Sequence, residues 1–252
     1  MSDIYYQFVR ITDGTPRLGH GDNRPVRVGE TLTVETAPAA FELGMHTSRL
    51  VMNALCYGPS AERLALCRVT LGGEVVWAYG TGTASERTVI AMLEPERTAA
   101  MLREFARWCA LSVAHLWTMP PVVRQYLETG DEMLSYDALR AGGQLEETLA
   151  GRRCLARCFA RQAARRAALC GQDRLFRAAR RTTMAGCAWH AGMDAAAAQA
   201  HQAQMAARSK TARMRQLYDA AWKQAMAALE ARLVEMIDAA LAAQAAEAMV
   251  AV

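Results

Sequence analysis

The chain has 252 residues, 52% hydrophobic and 21% charged, with a formal net charge of +4, and its mean hydropathy of −0.02 reads as a soluble globular protein of one large or two small domains. A chain of this size buries about 70–75% of its unfolded surface and needs no disulfide or metal staple, so its seven cysteines, an odd number, are expected as free thiols in a reducing compartment. No window reaches the roughly 18 apolar residues of a membrane span, and the opening MSDIYYQFVRITDG lacks the basic and apolar pattern of a secretion signal, which excludes a membrane protein and points to the cytoplasm.

Residues 1–94 alternate short β-type runs with Gly, Pro and Asp punctuation, at 5–12, 31–34, 65–71, 74–79 and 87–93. Gly72-Gly73 separates two of these runs by two residues, which predicts a hairpin whose turn permits positive φ. Thr47 or Ser48 is placed to cap a short helix through Tyr57, with Leu50, Val51, Ala54 and Leu55 facing the sheet and Gly58-Pro59 ending it. At Pro95 the period becomes helical. Proline suits the first position of a helix, where its missing N–H has no partner to lose. Met101, Phe105, Trp108, Cys109, Ser112 and Leu116 then make one face, and Met119-Pro120-Pro121 breaks the helix. A second helix is predicted over 121–129, ending at Gly130, and a third over 132–140, before Gly142-Gly143. The remaining residues contain no proline and only Gly151, Gly171, Gly186 and Gly192 as glycines, which predicts long Ala-rich helices. The last, over 208–250, carries Leu229, Leu233, Met236 and Ile237 on one apolar side with the step pattern of a helix-pair or coiled-coil seam. This face is the candidate for self-association. The fold class is therefore α+β: a small mixed α/β head over 1–94 and a larger all-α body over 95–252, with shorter helices to 143 and long Ala/Arg-rich helices over 144–252.

Charge divides the chain unevenly. Residues 151–181 carry ten arginines against the single Asp173. Arg153, Arg157, Arg161 and Arg165 recur at four-residue steps, which makes one ridge along a helix, with Arg152 and Arg166 beside it. Like charges at this spacing repel by about 0.2–0.5 kcal/mol per pair, so the ridge calls for an anionic partner. That partner is nucleic acid phosphate, an acidic protein surface, or the chain's own acidic block of Glu128, Asp131, Glu132, Glu146 and Glu147. Aromatic residues in the block are few, Phe159 and Phe176, which argues against a groove that stacks single-stranded bases.

The stretch FELGMHTSRLVMNALCYGPSAERLALCRVTLGGEVV, followed by ASERTVIAML, resembles an uncharacterised domain family of bacteriophage and prophage proteins. The resemblance rests on Gly44-Met45-His46-Thr47-Ser48, matching a G-x-H-[AT]-S motif, and on Gly73-Glu74 and Glu86-Arg87. It covers residues 5–145, continues through EFARWCALSVAHLWTMPPVVRQYLETGDEMLSYDALRAGG, and reaches the Ala/Arg-rich tail by composition alone. It implies a phage origin and brings no established catalytic activity with it.

Two constellations invite chemistry. His46, Ser48 and Glu86 supply the residue types of an NAD-dependent ADP-ribosyl-transferring site, an analogy of types alone. Their structural roles would be a helix cap for Ser48, a backbone hydrogen bond for His46, and a pairing of Glu86 with Arg87 or Arg68. Cys154 and Cys158 with Cys187 and His190 permit a zinc site to be drawn, but such ligands normally sit on tight knuckles and not in continuous helix, so no metal is expected. Nor does any Gly-rich phosphate loop or nucleophile elbow appear. The expectation is a non-enzymatic, cofactor-free binding protein of the infected host's cytoplasm, docking through Arg152, Arg153, Arg157, Arg161, Arg165 and Arg166. Its target would be a host immune or nucleoprotein complex, as for an anti-CRISPR-like inhibitor. The transferase and a virion component are the alternatives.

Overall fold

The structure, a computed structural model, describes residues 3–19, 23–39, 45–59, 61, 63–144, 154–172, 177, 180, 182–206 and 212–250. The fold is α+β, with an antiparallel sheet followed by helices. Compactness divides it into two units: residues 1–101 with 233–252, and residues 102–232. The last 20 residues thus belong with the sheet and not with the helices that precede them in sequence.

The first unit contains β1 (Tyr5–Thr12), β2 (Thr15–Arg17), β3 (Thr31–Thr33), β4 (Met45–Ser48), β5 (Leu64–Ala78) and β6 (Thr81–Leu93). β1 pairs with β5, β5 with β6, β6 with β4, and β4 returns to β1 through the single pair Tyr6–Ser48. The pairings therefore close a ring. A closed ring leaves few edges to template aggregation, and alternate side chains fill its interior. Val9, Met45, Ala65, Cys67, Val69 and Val89 belong to that buried cluster. Burial pushes the Cys67 thiol up to about 12, so it is inert as a nucleophile at neutral pH.

The hairpin predicted at Gly72-Gly73 is corrected. β5 runs straight through both glycines, and the reversal comes at Tyr79-Gly80, with φ of 48° and 79°. Gly72-Gly73 instead forms a bulge, where the register shifts between Gly72 and Val75 and Gly73 has φ of 64°. A bulge and a tight turn both want a residue that accepts positive φ, so the glycine pair cannot distinguish them. The cross-strand packing does: a Cβ on Gly73 would lie 2.2 Å from Ser85 Oγ. The capping role for Thr47 or Ser48 is corrected as well. Both belong to β4, and α1 (Val51–Cys56) begins after Leu50 with no side-chain cap.

α2 (Pro95–Ser112) starts at the predicted proline. Thr98 ties its first turn to the sheet, donating to the Leu93 carbonyl at 3.0 Å and accepting from Leu66 N at 3.3 Å. The end of the last helix, α7 (Ala212–Val250), completes this unit. Asp238 and Glu247 ion-pair with Arg68 and Arg97. Gln244 accepts from Glu94 N at 2.9 Å and donates to the Met92 carbonyl at 3.0 Å.

The second unit contains α3 (Pro121–Thr129), α4 (Ser135–Gln144), α5 (Leu155–Cys170) and α6 (Met184–Ala206). α4 continues through Gly142-Gly143, where the third helix was expected to have ended. α5 and α6 pack through alanine: Ala156, Ala160, Ala163 and Ala167 on one, Ala188, Ala191, Ala195 and Ala198 on the other, all at most 3% exposed. Where only methyl groups stand between two helices, the helices can approach to the short end of the 8–10 Å range of separations. Tyr126, fully buried, spans from α3 to donate to the Ala167 carbonyl at 2.9 Å. Among the described residues no helix is long and apolar enough to cross a membrane.

Candidate functional site

α5 reads LARCFARQAARRAALC and contains no acid to offset its arginines. The tertiary structure gives those arginines unlike environments. Arg157 is exposed. Arg161, one turn on, is buried at 8% exposure. Arg165 is half-buried, and its stem lies on α4: a Cβ on Gly142 would sit 3.1 Å from Arg165 Cγ. Gly142 is what makes room for it. Arg152 and Arg153 lie outside the described residues. A ridge drawn from four-residue spacing is thus partly a packing surface between α4 and α5.

Arg166 faces α6, where the Asp194 carboxylate lies 3.9 Å from its guanidinium. Asp194 is half-buried, and desolvation lifts it to about 6 against the opposing attraction of Arg166. His190, one turn earlier on α6, is lowered by burial and then by the charge of Arg166. Local charge in the chain does not mark Asp194, which stands 28 residues beyond Arg166. The signal was there, a lone aspartate within an alanine-rich helix, four residues after a histidine.

Further along the same helix pair is a run of rings. Phe159 stacks parallel to His201 at 5.4 Å and 4°, His201 meets Tyr218 edge-on at 4.9 Å and 62°, and Tyr218 lies parallel to Trp222 at 6.3 Å and 10°. His201 Nδ1 pairs with Gln204 Oε1 at 3.2 Å. Of these four only Phe159 belongs to the arginine-rich block, and the others come from α6 and α7. Tyr218 and Trp222, at i and i+4, were the legible half.

Of the acidic block, Glu128 pairs with Arg124 at 3.5 Å, Glu132 with Arg103 at 3.0 Å, and Asp131 accepts from Met133 N at 2.9 Å. Glu146 and Glu147 lie outside the described residues, as do Asp173 and Phe176.

In the first unit, His46 Nδ1 is paired with Thr83 Oγ1 at 3.2 Å, and Arg87 Nη1 donates to the His46 carbonyl at 3.4 Å. Ser48 is 2% exposed. Glu86 is exposed, lies over Gly72, and stands three residues beyond Thr83 on β6, about 10 Å along the strand. The cavity beside His46 and Ser48 holds about 30 Å³, room for one water and far short of the several hundred Å³ that a cofactor fills. Among the described residues the three are therefore not assembled around a dinucleotide-sized space. Gly44, of the same motif, lies outside the described residues.

Cys187 is buried, whereas Cys154 is half-exposed with its Sγ 3.8 Å from Met205 Sδ. Among the described residues no three His, Cys, Asp or Glu side chains cluster to hold a metal. Leu229, Leu233, Met236 and Ile237 are all at most 7% exposed within the single chain, so their apolar side is already covered. No family model, curated protein or solved structure matches this chain.

Proposed function

We propose that the protein is a phage-encoded binding protein that sets the arginines of α5 on an anionic surface of a host complex, of the immune or nucleoprotein kind, and blocks or redirects it. One observation carries this reading. Arg157 is exposed on a helix without acids, and no carboxylate among the described residues pairs with it, while Glu128, Asp131 and Glu132 are engaged elsewhere. An exposed arginine that no described carboxylate neutralises raises association rate and selectivity for acidic surfaces. The phage family that the sequence resembles supports a host complex as target. Seven free cysteines support action in the reducing cytoplasm of that host.

The buried and exposed arginines make the test. Arg157→Glu is expected to leave the melting temperature unchanged and to abolish capture of the partner from host lysate. Arg161→Glu, which puts an acid where a buried guanidinium is held, is expected to cost about 3–5 kcal/mol of stability. Nuclease treatment separates the partner classes: capture that survives it identifies a protein surface, and capture that is lost identifies nucleic acid. An Arg157→Glu protein that captures as well as the parent refutes the reading.

A further inference from the structure

We propose that Arg10 and Arg17 form a binding site for a phosphate group on the hairpin of β1 and β2, in the first unit and independent of α5. The two residues are direct register partners in the antiparallel pair, which sets their Cβ atoms about 5 Å apart, where like charges destabilise the pairing. Both guanidinium groups nevertheless turn to one residue. Arg10 Nη2 donates to Asn23 Oδ1 at 2.9 Å, and Arg17 Nη1 donates to the Asn23 carbonyl at 2.8 Å. Asn23 is exposed and neutral, so it orients the pair without neutralising it. The Nε atoms of both are buried, and the bonds to Asn23 leave Arg10 Nη1 and Arg17 Nη2 unused.

Arg24 and Arg87 of this unit also donate to backbone carbonyls, of Thr33 and His46, whereas four others are engaged by acids or a ring. Arg63, Arg68 and Arg97 each reach a carboxylate, of Glu96, Asp238 and Glu247, and Arg49 lies over the Trp77 ring at 4.2 Å. Among the described residues no carboxylate pairs with Arg10 or Arg17. Two guanidinium groups held at one residue match a tetrahedral dianion better than a single carboxylate, because together they carry two positive charges and each keeps a terminal nitrogen to offer. The phosphate comes either as a free phosphate or ester, or as the backbone of a nucleic acid.

Melting temperature in sodium phosphate against sodium chloride of equal ionic strength and pH reads the site. Phosphate at tens of millimolar is expected to raise it by about 3 °C in the parent protein. Asn23→Asp places a carboxylate between the arginines. It is expected to raise the melting temperature in chloride and to abolish the phosphate response, an outcome that misfolding cannot imitate. Arg17→Lys, which keeps charge but not the fork, is expected to weaken phosphate binding about tenfold. A single-stranded DNA 20-mer then distinguishes the sources. A salt slope that falls by about 0.7 for each arginine lost in Arg10→Gln and Arg17→Gln identifies a nucleic acid backbone, and DNA binding unaltered by these changes identifies a free phosphate. The assignment is overturned if phosphate stabilises no more than chloride, if Asn23→Asp responds like the parent, or if Arg157→Glu alone removes the response, which would put the anion on α5.

Discussion

Asp194 is a carboxylate that folding makes harder to ionise. An aspartate in the unfolded chain titrates near 3.9, and in the folded protein it keeps its proton until about 6. Between those values the folded state binds more protons than the unfolded one, so this group's contribution is most favourable below pH 4 and is lost as pH rises through 6. The difference corresponds to about 3 kcal/mol at most, with the opposing attraction of Arg166 at 3.9 Å already included. Asp194→Asn is therefore expected to raise the melting temperature at pH 8 and to leave it nearly unchanged at pH 4. Thermal unfolding of both proteins across that range checks it, and parallel curves would show that the carboxylate is not the cause. The position of Asp194 was not legible from the arginines, since residues 28 apart in the chain meet only when α5 and α6 pack.

Helices in this protein owe their burial to different residues. α5 and α6 meet through alanine methyl groups, each contributing little, so their association depends on close approach over many turns. α7 instead places large side chains at a few fully buried points. Leu233 and Ile237 are 0% exposed, whereas Leu217 on the same helix is 36% exposed. Leu233→Ala is expected to cost about 2–5 kcal/mol, the sum of lost transfer energy and a cavity, while Leu217→Ala is expected to change stability by less than about 0.5 kcal/mol. Chemical denaturation of the two variants measures both, and equal losses would show that burial along α7 does not set its stability. The apolar stripe of this helix was readable from period alone. What covers it was not, because a stripe looks the same whether a second copy or the chain's own fold lies against it.

For the molecule as a whole, the chain returns to its beginning. Residues 233–252 group with the sheet, where Asp238, Gln244 and Glu247 meet Arg68, the β6 backbone and Arg97. A protein ending at Arg232 loses these contacts together with buried Leu233, Met236 and Ile237. It is expected to show amide-exchange protection reduced at least tenfold in β5 and β6. Protection equal to that of the full chain would show that the sheet is stable without its C-terminal helix. An acidic side chain on a helix 170 residues downstream, as Asp238 is from Arg68, is not something local pattern can assign to a strand.

The order of the elements was decided by sequence alone: β-type alternation up to Leu93, the switch at Pro95, the helix of Pro121–Thr129 ending at Gly130, and the α+β class that follows. These depend on periods of two and 3.6 and on proline and glycine, which act within a few residues of themselves. Tertiary structure decided the rest. It made Gly72-Gly73 a bulge and Tyr79-Gly80 the turn, because side chains from β6 pack across the strand there. It sorted one helical ridge into exposed Arg157 and buried Arg161, and it gathered Phe159, His201, Tyr218 and Trp222 from three helices. Four-residue spacing determines that side chains share a face. Which face meets protein and which meets water is a property of the packed assembly, and no local interval in the chain encodes it.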